Sequence, residues 1–173
     1  SLSKTPQMIW LKYRNDTYDW QVYHKGLNGG TTPQNYKLQL NDEAAESGNA
    51  AWWNNTAPTS THFTVGDSTK VNYNNGTYIA MLFASVSGIS KVGYYTGTGS
   101  TQTITTGFQP RFVVIRRTDT GQYWIVMDTI RGWASGNDQT LIFNEADAQT
   151  SYNDLGAPTS TGFTLTSNLN NSN

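Results

Sequence analysis

The chain has 173 residues, and charged residues make up only 13% of them, for a formal net charge of −1. The lack of a basic excess argues against a nucleic-acid partner, no apolar run reaches the roughly 18 residues of a membrane-spanning helix, and the absence of cysteine excludes disulfides and thiolate metal sites. Low charge with abundant Thr, Ser, Asn and Gly is typical of proteins built from exposed β-sheets.

The first half of the chain has the pattern of short strands separated by turns. Apolar and β-branched residues recur in short segments, and clusters of Gly, Asn, Asp and Thr lie between them. We expect strands over Met8–Tyr13, Asp19–His24 and Tyr36–Leu40, a single helical turn over Asp42–Glu46, and a loop over Ser47–Pro58.

The segment Tyr78–Ser85, with the sequence YIAMLFAS, is the most apolar of the chain. It is too short for a core helix, and a continuous apolar run of this length is typical of a strand with both faces covered. We therefore expect a strand buried on both faces.

The segment Pro110–Gly132 predicts a β-hairpin. Phe112–Arg116 and Trp124–Met127 are apolar and β-branched, and Thr118–Gly121 between them has the composition of a turn. Strict alternation places Trp124 and Val126 on one face of the second strand.

This hairpin has a counterpart earlier in the chain, which indicates an internal repeat. Pro6–Lys12 followed by Trp20 matches Pro110–Arg116 followed by Trp124, 104 positions later. Farther along, seven of the eight residues of APTSTHFT, which starts at Ala57, recur in APTSTGFT, which starts at Ala157. Self-similarity at a fixed spacing is the signature of repeated structural units, here with a period of about 100 residues.

Together these patterns predict an all-β fold, an antiparallel β-sandwich of jelly-roll or concanavalin-like type, in two repeats. The first repeat would span residues 1–90 and lack its leading strands, and the second would span residues 91–173 and be cut before its last strand. We expect an excerpt from a longer array, in which at least one copy is completed from outside itself. Either Tyr78–Ser85 is shared along the chain, or a neighbouring protomer supplies the missing strands.

Several motifs resemble a tandemly repeated domain of marine bacteriophage tail fibres and other virion appendages. They are Gly107–Thr118, Trp124, Asp128 with Arg131-Gly132, Asn144 with Ala148, Thr161–Phe163, and Asn74 with Gly76 and Tyr78-Ile79. The resemblance implies a sandwich of concanavalin, laminin-G or SPRY-like shape, a virion or extracellular location, and a structural or adhesive role. It also implies contact with a host cell-surface glycan or receptor, and with other protomers of a homo-oligomer such as a trimer.

The polar residues do not form a recognisable catalytic or metal-binding motif. The two histidines, His24 and His62, are replaced in the other copy by Asp128 and Gly162, and the close acidic pairs Glu43/Glu46 and Glu145/Asp147 lack the third acid of a concanavalin-like hydrolase. We therefore expect no catalytic residues, no metal and no cofactor. Asp side chains offer oxygen ligands for calcium, but without the fixed spacing of a calcium loop.

Aromatic residues give the better indication of a ligand site. Trp52, Trp53 and Asn54 lie in a loop rich in Asn, Ala and Ser, and an aromatic ring beside amide groups suits a sugar, which stacks on the ring and hydrogen-bonds through its hydroxyls. Trp133 and Tyr152 are candidates of the same kind, whereas Trp20 and Trp124 are expected in the core. An alternative is that one of the two tryptophans Trp52 and Trp53 packs at the edge of the sandwich as a structural residue and contacts no ligand. Two other functions stay open, a purely structural spacer and a carbohydrate-active enzyme.

Overall fold

The structure, a computed structural model, describes residues 3–166 and has antiparallel β-sheets, as the sequence predicts. The described residues form two compact units. The first comprises the residues up to Ser85 with Val92–Tyr94 and Thr118–Thr120, and the second comprises Val86–Lys91, Tyr95–Arg117 and the residues from Gly121 onward.

Short strands account for most of the regular structure within residues 3–166. The strands are β1 (Met8–Tyr13), β2 (Gln21–His24), β3 (Tyr36–Gln39), β4 (Ser47–Gly48), β5 (Tyr78–Phe83), β6 (Gln102–Thr105), β7 (Phe112–Arg116), β8 (Trp124–Asp128), β9 (Asp138–Ile142), β10 (Thr150–Tyr152), β11 (Pro158–Thr159) and β12 (Gly162–Leu165). Two one-turn helices, α1 (Ala50–Trp53) and α2 (Thr69–Asn72), and two 3₁₀ turns, Leu27–Gly30 and Pro33–Asn35, complete the list.

The first unit has one five-stranded sheet in the order β4-β3-β2-β1-β5. Alternation along β1 directs Ile9 and Leu11 to one face, where they pack with Trp53 of α1 and Val71 of α2. The two short helices therefore carry the side chains that close the core of this unit.

The second unit has a four-stranded sheet, β10-β9-β8-β7, and a three-stranded sheet, β11-β12-β6. Its core contains Ile115 and Met127 from the first sheet and Phe163 and Leu165 from the second. Trp133, from the segment after β8, fills the remaining space between these side chains.

The Ser47–Pro58 segment, predicted as a loop, contains β4 and α1. Three other local predictions from the sequence are also wrong. Asp42–Glu46 forms no helical turn. The Asp42 carboxylate instead accepts the Ala44 N–H at 2.9 Å, as in an Asx turn. Trp20 is half-buried rather than in the core, although Trp124 is buried as predicted. The third is the Tyr78–Ser85 segment, since β5 is an edge strand and its Ile79 and Met81 are 44% and 43% exposed.

Gly162 is the residue at which the segment APTSTGFT differs from APTSTHFT. Gly162 lies opposite Thr105 of β6, and a Cβ added there would lie 2.1 Å from the Ile104 carbonyl oxygen. His62, at the matching position of APTSTHFT, is exposed and lies outside the strands. Glycine is therefore required only where a second strand packs this closely.

We expect Gly162→Ala to lower the free energy of unfolding by about 1–3 kcal/mol, since β6 must move away from the new methyl group. Urea denaturation measures this loss. Gly93→Ala is the matched control and should be neutral, because a Cβ at Gly93 meets nothing within 4 Å. Equal stability of the two variants would contradict the close approach of β6.

Candidate functional site

The tandem tryptophans lie on α1, a single helical turn with a cap at each end. The Asn49 side chain accepts the Ala51 N–H at 2.8 Å, and Asn54 ends the helix in the left-handed conformation at φ 50°. Neighbouring residues on a helix point in directions about 100° apart. Trp53 therefore enters the core while Trp52 stays at its border.

Trp53 and Trp133 are not glycan contacts, which corrects the prediction from sequence. Their exposures are 2% and 1%, and each indole N–H is already bonded to a backbone carbonyl, Trp53 to Tyr36 at 3.0 Å and Trp133 to Gly156 at 2.8 Å. A buried tryptophan with a satisfied N–H has no ring face for a ligand. Both side chains support the core.

The other three candidates are accessible. Trp52 is half-buried, Asn54 is exposed at the end of α1, and Tyr152 is exposed on the edge strand β10 of the second unit. Trp52 lies beside several polar and charged side chains of the first unit.

Two lysines lie over the Trp52 ring. The Lys37 ammonium is 4.9 Å from the ring centroid and the Lys70 ammonium is 6.0 Å from it, within the range of cation–π attraction. Lys37 is 9% exposed and donates to the Gln39 side-chain oxygen at 2.6 Å. Burial lowers the pKa of Lys37 and the charge of Lys70 acts in the same direction, while Asp19 and Asp42 oppose it.

Asp19 connects the two lysines to a pair of amides. Its carboxylate accepts hydrogen bonds from the side chains of Gln39 and, at 3.0 Å, Asn41, and it lies 3.8 Å from the Lys70 ammonium. Lys70 also lies 5.7 Å from the centre of the Tyr18 ring. We call this set the Trp52 cluster; its members are Tyr18, Asp19, Lys37, Gln39, Asn41, Trp52 and Lys70.

The Trp52 cluster combines groups that bind hydroxyls with rings that bind apolar faces. The carboxylate accepts hydrogen bonds, the ammonium groups donate them, and the amides do both. Asp19, Lys70 and Tyr18 are each partly exposed, so solvent reaches the cluster from this side. Such an arrangement can hold a small polar molecule by several weak bonds.

Of the residues in the Trp52 cluster, only Trp52 is predicted from the sequence as a glycan contact. Lys37, Gln39 and Asn41 stand at every second position, which places Lys37 and Gln39 on one face of β3. This alternation of polar residues along a strand is the sequence pattern that indicates a polar face on β3. Asp19 and Lys70 come from distant parts of the chain, and only the fold brings them to this face.

The two histidines have contacts typical of structural residues. His24 accepts the Gly26 N–H at its Nδ1 atom, at 2.9 Å, and burial lowers its pKa to about 4. His62 lies on an exposed turn, where its Nδ1 atom is 3.2 Å from the Thr59 hydroxyl and 3.0 Å from the Thr61 hydroxyl.

An open groove of about 420 Å³ in the second unit brings several carboxylates near an arginine. Its lining includes the charged side chains of Asp128, Arg131, Glu145 and Asp147 and apolar side chains such as Val126. Within residues 3–166 no group of three or more His, Asp or Glu side chains is placed to hold a metal ion, and no helix in that range is long and apolar enough to cross a membrane.

The fold and the Trp52 cluster define an antiparallel β-protein with an accessible polar and aromatic site. The family model for a domain of unknown function, DUF7483, matches residues 1–173, and the chain therefore belongs to the DUF7483 family. No curated protein and no solved structure shows significant similarity to the chain.

Proposed function

We propose that the chain is a structural and adhesive β-domain of a phage tail fibre or a similar surface appendage, and that it contacts host-surface glycans through the Trp52 cluster. It acts outside the cell or on the virion, together with other fibre protomers and without catalysis. The resemblance of its motifs to tail-fibre repeats supports the location. The chemistry of the Trp52 cluster is the observation that carries the adhesive role.

The proposal includes a repeated sandwich, and the matching strand registers of the two units support the repeat. Met8 of β1 faces His24 of β2, and 104 positions later Phe112 of β7 faces Asp128 of β8. The sheets also continue in the same order through the next two strands of each unit. The core of the second unit, which takes side chains from two sheets, supports the two-layer architecture.

Equivalent side chains also make equivalent hydrogen bonds. The Trp20 backbone N–H donates to the Asn41 side chain at 2.9 Å, and the Trp124 N–H donates to the Asn144 side chain at 2.9 Å. These matched bonds support a common origin of the two hairpins in one repeating unit.

The same equivalence extends to a position where the residue type differs. His24 Nδ1 accepts the N–H of Gly26, and Asp128 Oδ1 accepts the N–H of Ile130 at 2.7 Å, in each case two residues farther along. Histidine and aspartate therefore have the same local role, since each accepts a backbone N–H from the segment that follows the hairpin.

A spacer without a ligand is the second candidate function. The polar members of the Trp52 cluster already bond to one another, as in the pairs Lys37–Gln39 and Asp19–Asn41, so the cluster could serve only to support α1 and α2. For an enzyme acting on carbohydrates, the groove beside Arg131 offers the carboxylates of Asp128, Glu145 and Asp147.

Trp52→Ala is expected to weaken glycan binding about tenfold or more, since it removes the ring and the cation–π partner of Lys37 together. A glycan array carrying bacterial surface polysaccharides identifies a bound glycan, and titration calorimetry compares the variants on it. Tyr123→Ala is the control and should keep the wild-type affinity, because Tyr123 is an exposed aromatic side chain of the second unit that is not among the candidate glycan contacts.

The alternatives give different outcomes. Failure of the wild-type chain to bind any glycan on the array would support the spacer, and release of reducing sugar from a host polysaccharide would support the enzyme. Equal affinity of Trp52→Ala and wild type would remove the Trp52 cluster as the contact site.

A further inference from the structure

Within residues 3–166, β5 is an apolar strand at the edge of the first unit's sheet, and no strand of that range pairs with its outer side. Its sequence YIAMLF has no charged residue and no proline, and β1 is its partner strand in the order β4-β3-β2-β1-β5. Edge strands of soluble proteins are normally protected from pairing by charges, proline or bulges. Neither a charged residue nor a proline occurs within Tyr78–Phe83.

The backbone hydrogen bonds identify which peptide groups point away from β1. The Arg14 N–H donates to the Thr77 carbonyl at 2.9 Å, and the Gln7 N–H donates to the Phe83 carbonyl at 2.8 Å. In an antiparallel pair, alternate residues bond to the same neighbour. The N–H and C=O groups of Tyr78, Ala80 and Leu82 therefore point to the open edge.

Apolar side chains extend the exposed surface next to this edge. Ile79 and Met81 lie opposite Lys12 and Trp10 of β1, on the face away from the core formed by Ile9 and Leu11. On the same face Trp10 packs against Phe83, with ring centroids 4.8 Å apart. A solvent-exposed apolar strip beside an unpaired strand edge indicates a protein partner.

We propose that β5 pairs antiparallel with β5 of a second copy of this chain, about a two-fold axis at Ala80. In that register Ala80 faces Ala80 of the second copy, Ile79 faces Met81, and Tyr78 faces Leu82. The open groups of Tyr78, Ala80 and Leu82 then meet the same groups of the partner strand.

A second copy fits this edge because the strand is complementary to itself. All three kinds of facing pair are apolar or aromatic, so no charge is buried in the contact. The two-fold axis also keeps the core faces of both sheets on the same side. The two five-stranded sheets would then form a single sheet of ten strands. Isologous contacts of this kind are the commonest in soluble homo-oligomers. The inference goes beyond the proposed function and does not depend on it.

Ala80→Cys tests the register directly, because the chain has no other cysteine. Hydrogen-bonded partners in antiparallel strands have Cα atoms about 5.5 Å apart, which is within the range of a disulfide. We expect mild oxidation to link Ala80→Cys into a covalent dimer on non-reducing gels. Ile130→Cys, at a residue that is 74% exposed outside the strands, is the control and should link much more slowly.

Ala80→Pro tests the strand pairing. It removes an N–H that points to the open edge, so pairing with β1 is retained, whereas pairing with a second β5 is blocked. Sedimentation velocity should show the mass of two chains for wild type and of one chain for Ala80→Pro, with the same far-UV circular dichroism. Met81→Lys places a charge beside the edge without changing the backbone, and it should also give one chain, while Ile130→Lys should leave two.

Several results would overturn the pairing. They are a wild-type chain that sediments as a monomer at tens of micromolar, an assembly of three chains, a dimer that persists in both Ala80→Pro and Met81→Lys, or Ala80→Cys that oxidises no faster than Ile130→Cys.

Discussion

Trp133→Ala is expected to lower the free energy of unfolding of the second unit by about 3–5 kcal/mol. Trp133 is among the most buried large side chains of this unit, and its ring meets Phe163 edge-on at 5.8 Å between centroids. The substitution would leave a cavity the size of an indole among side chains of β7, β8 and β12, and the Gly156 carbonyl would lose its bond to the indole N–H.

Hydrogen exchange read by mass spectrometry measures this effect in each unit separately. The amides of β12 should lose protection in Trp133→Ala, while those of β1 and β2 should keep it. Trp133→Phe retains an aromatic ring without the N–H and should cost less than Trp133→Ala. Unchanged protection of β12 in Trp133→Ala would contradict the central place of this side chain.

The hairpin could be predicted from the sequence because its signals are local. The sequence predicts strands over Phe112–Arg116 and Trp124–Met127, and the structure has strands over Phe112–Arg116 and Trp124–Asp128. Alternation, β-branched residues and a polar turn are all contained within about 20 residues of chain, so no knowledge of distant neighbours is needed.

The environment of β5 could not be predicted in this way. An apolar run shows that a strand contains little polar surface, but which neighbours cover it depends on the order of strands in the sheet. β5 pairs with β1, about 70 residues earlier in the chain, and it lies at the edge. The exposure of Ile79 and Met81 is therefore a property of the topology and not of the segment itself.

The candidate site shows the same division between local and distant information. The loop composition around Trp52 and Trp53 indicated a site, but the sequence could not tell which ring faces the core, because that depends on the one-turn helix that Asn49 begins. Asp19 and Lys70 come from segments about 50 residues apart, and their 3.8 Å contact is a product of the fold.

His24 should make the protein less stable in mild acid. Burial, together with the nearby charge of Lys25, lowers the pKa of His24 from its ordinary value of 6.5 to about 4. The Gly26 N–H, which points at Nδ1, requires that nitrogen to be unprotonated. Below pH 6.5 the unfolded chain binds a proton at His24 that the folded chain does not bind. The contribution of neutral His24 to the free energy of unfolding is therefore fully present above pH 6.5 and is lost between pH 6.5 and 4. Below pH 4 both states are protonated at this residue, and the loss levels off at about 3 kcal/mol.

Urea denaturation at half-unit steps from pH 7.5 to 3.5 measures this loss, and His24→Asn is the variant that isolates it. The asparagine side-chain oxygen lies close to the position of Nδ1 and can accept the same Gly26 N–H, but it does not titrate. The difference in unfolding free energy between wild type and His24→Asn should therefore shift by about 3 kcal/mol in favour of the variant between pH 6.5 and 4. If the difference between wild type and His24→Asn stays constant with pH, His24 binds its proton at the same pH in the folded and unfolded chains. The hydrogen bond from the Gly26 N–H to Nδ1 would then have to be absent.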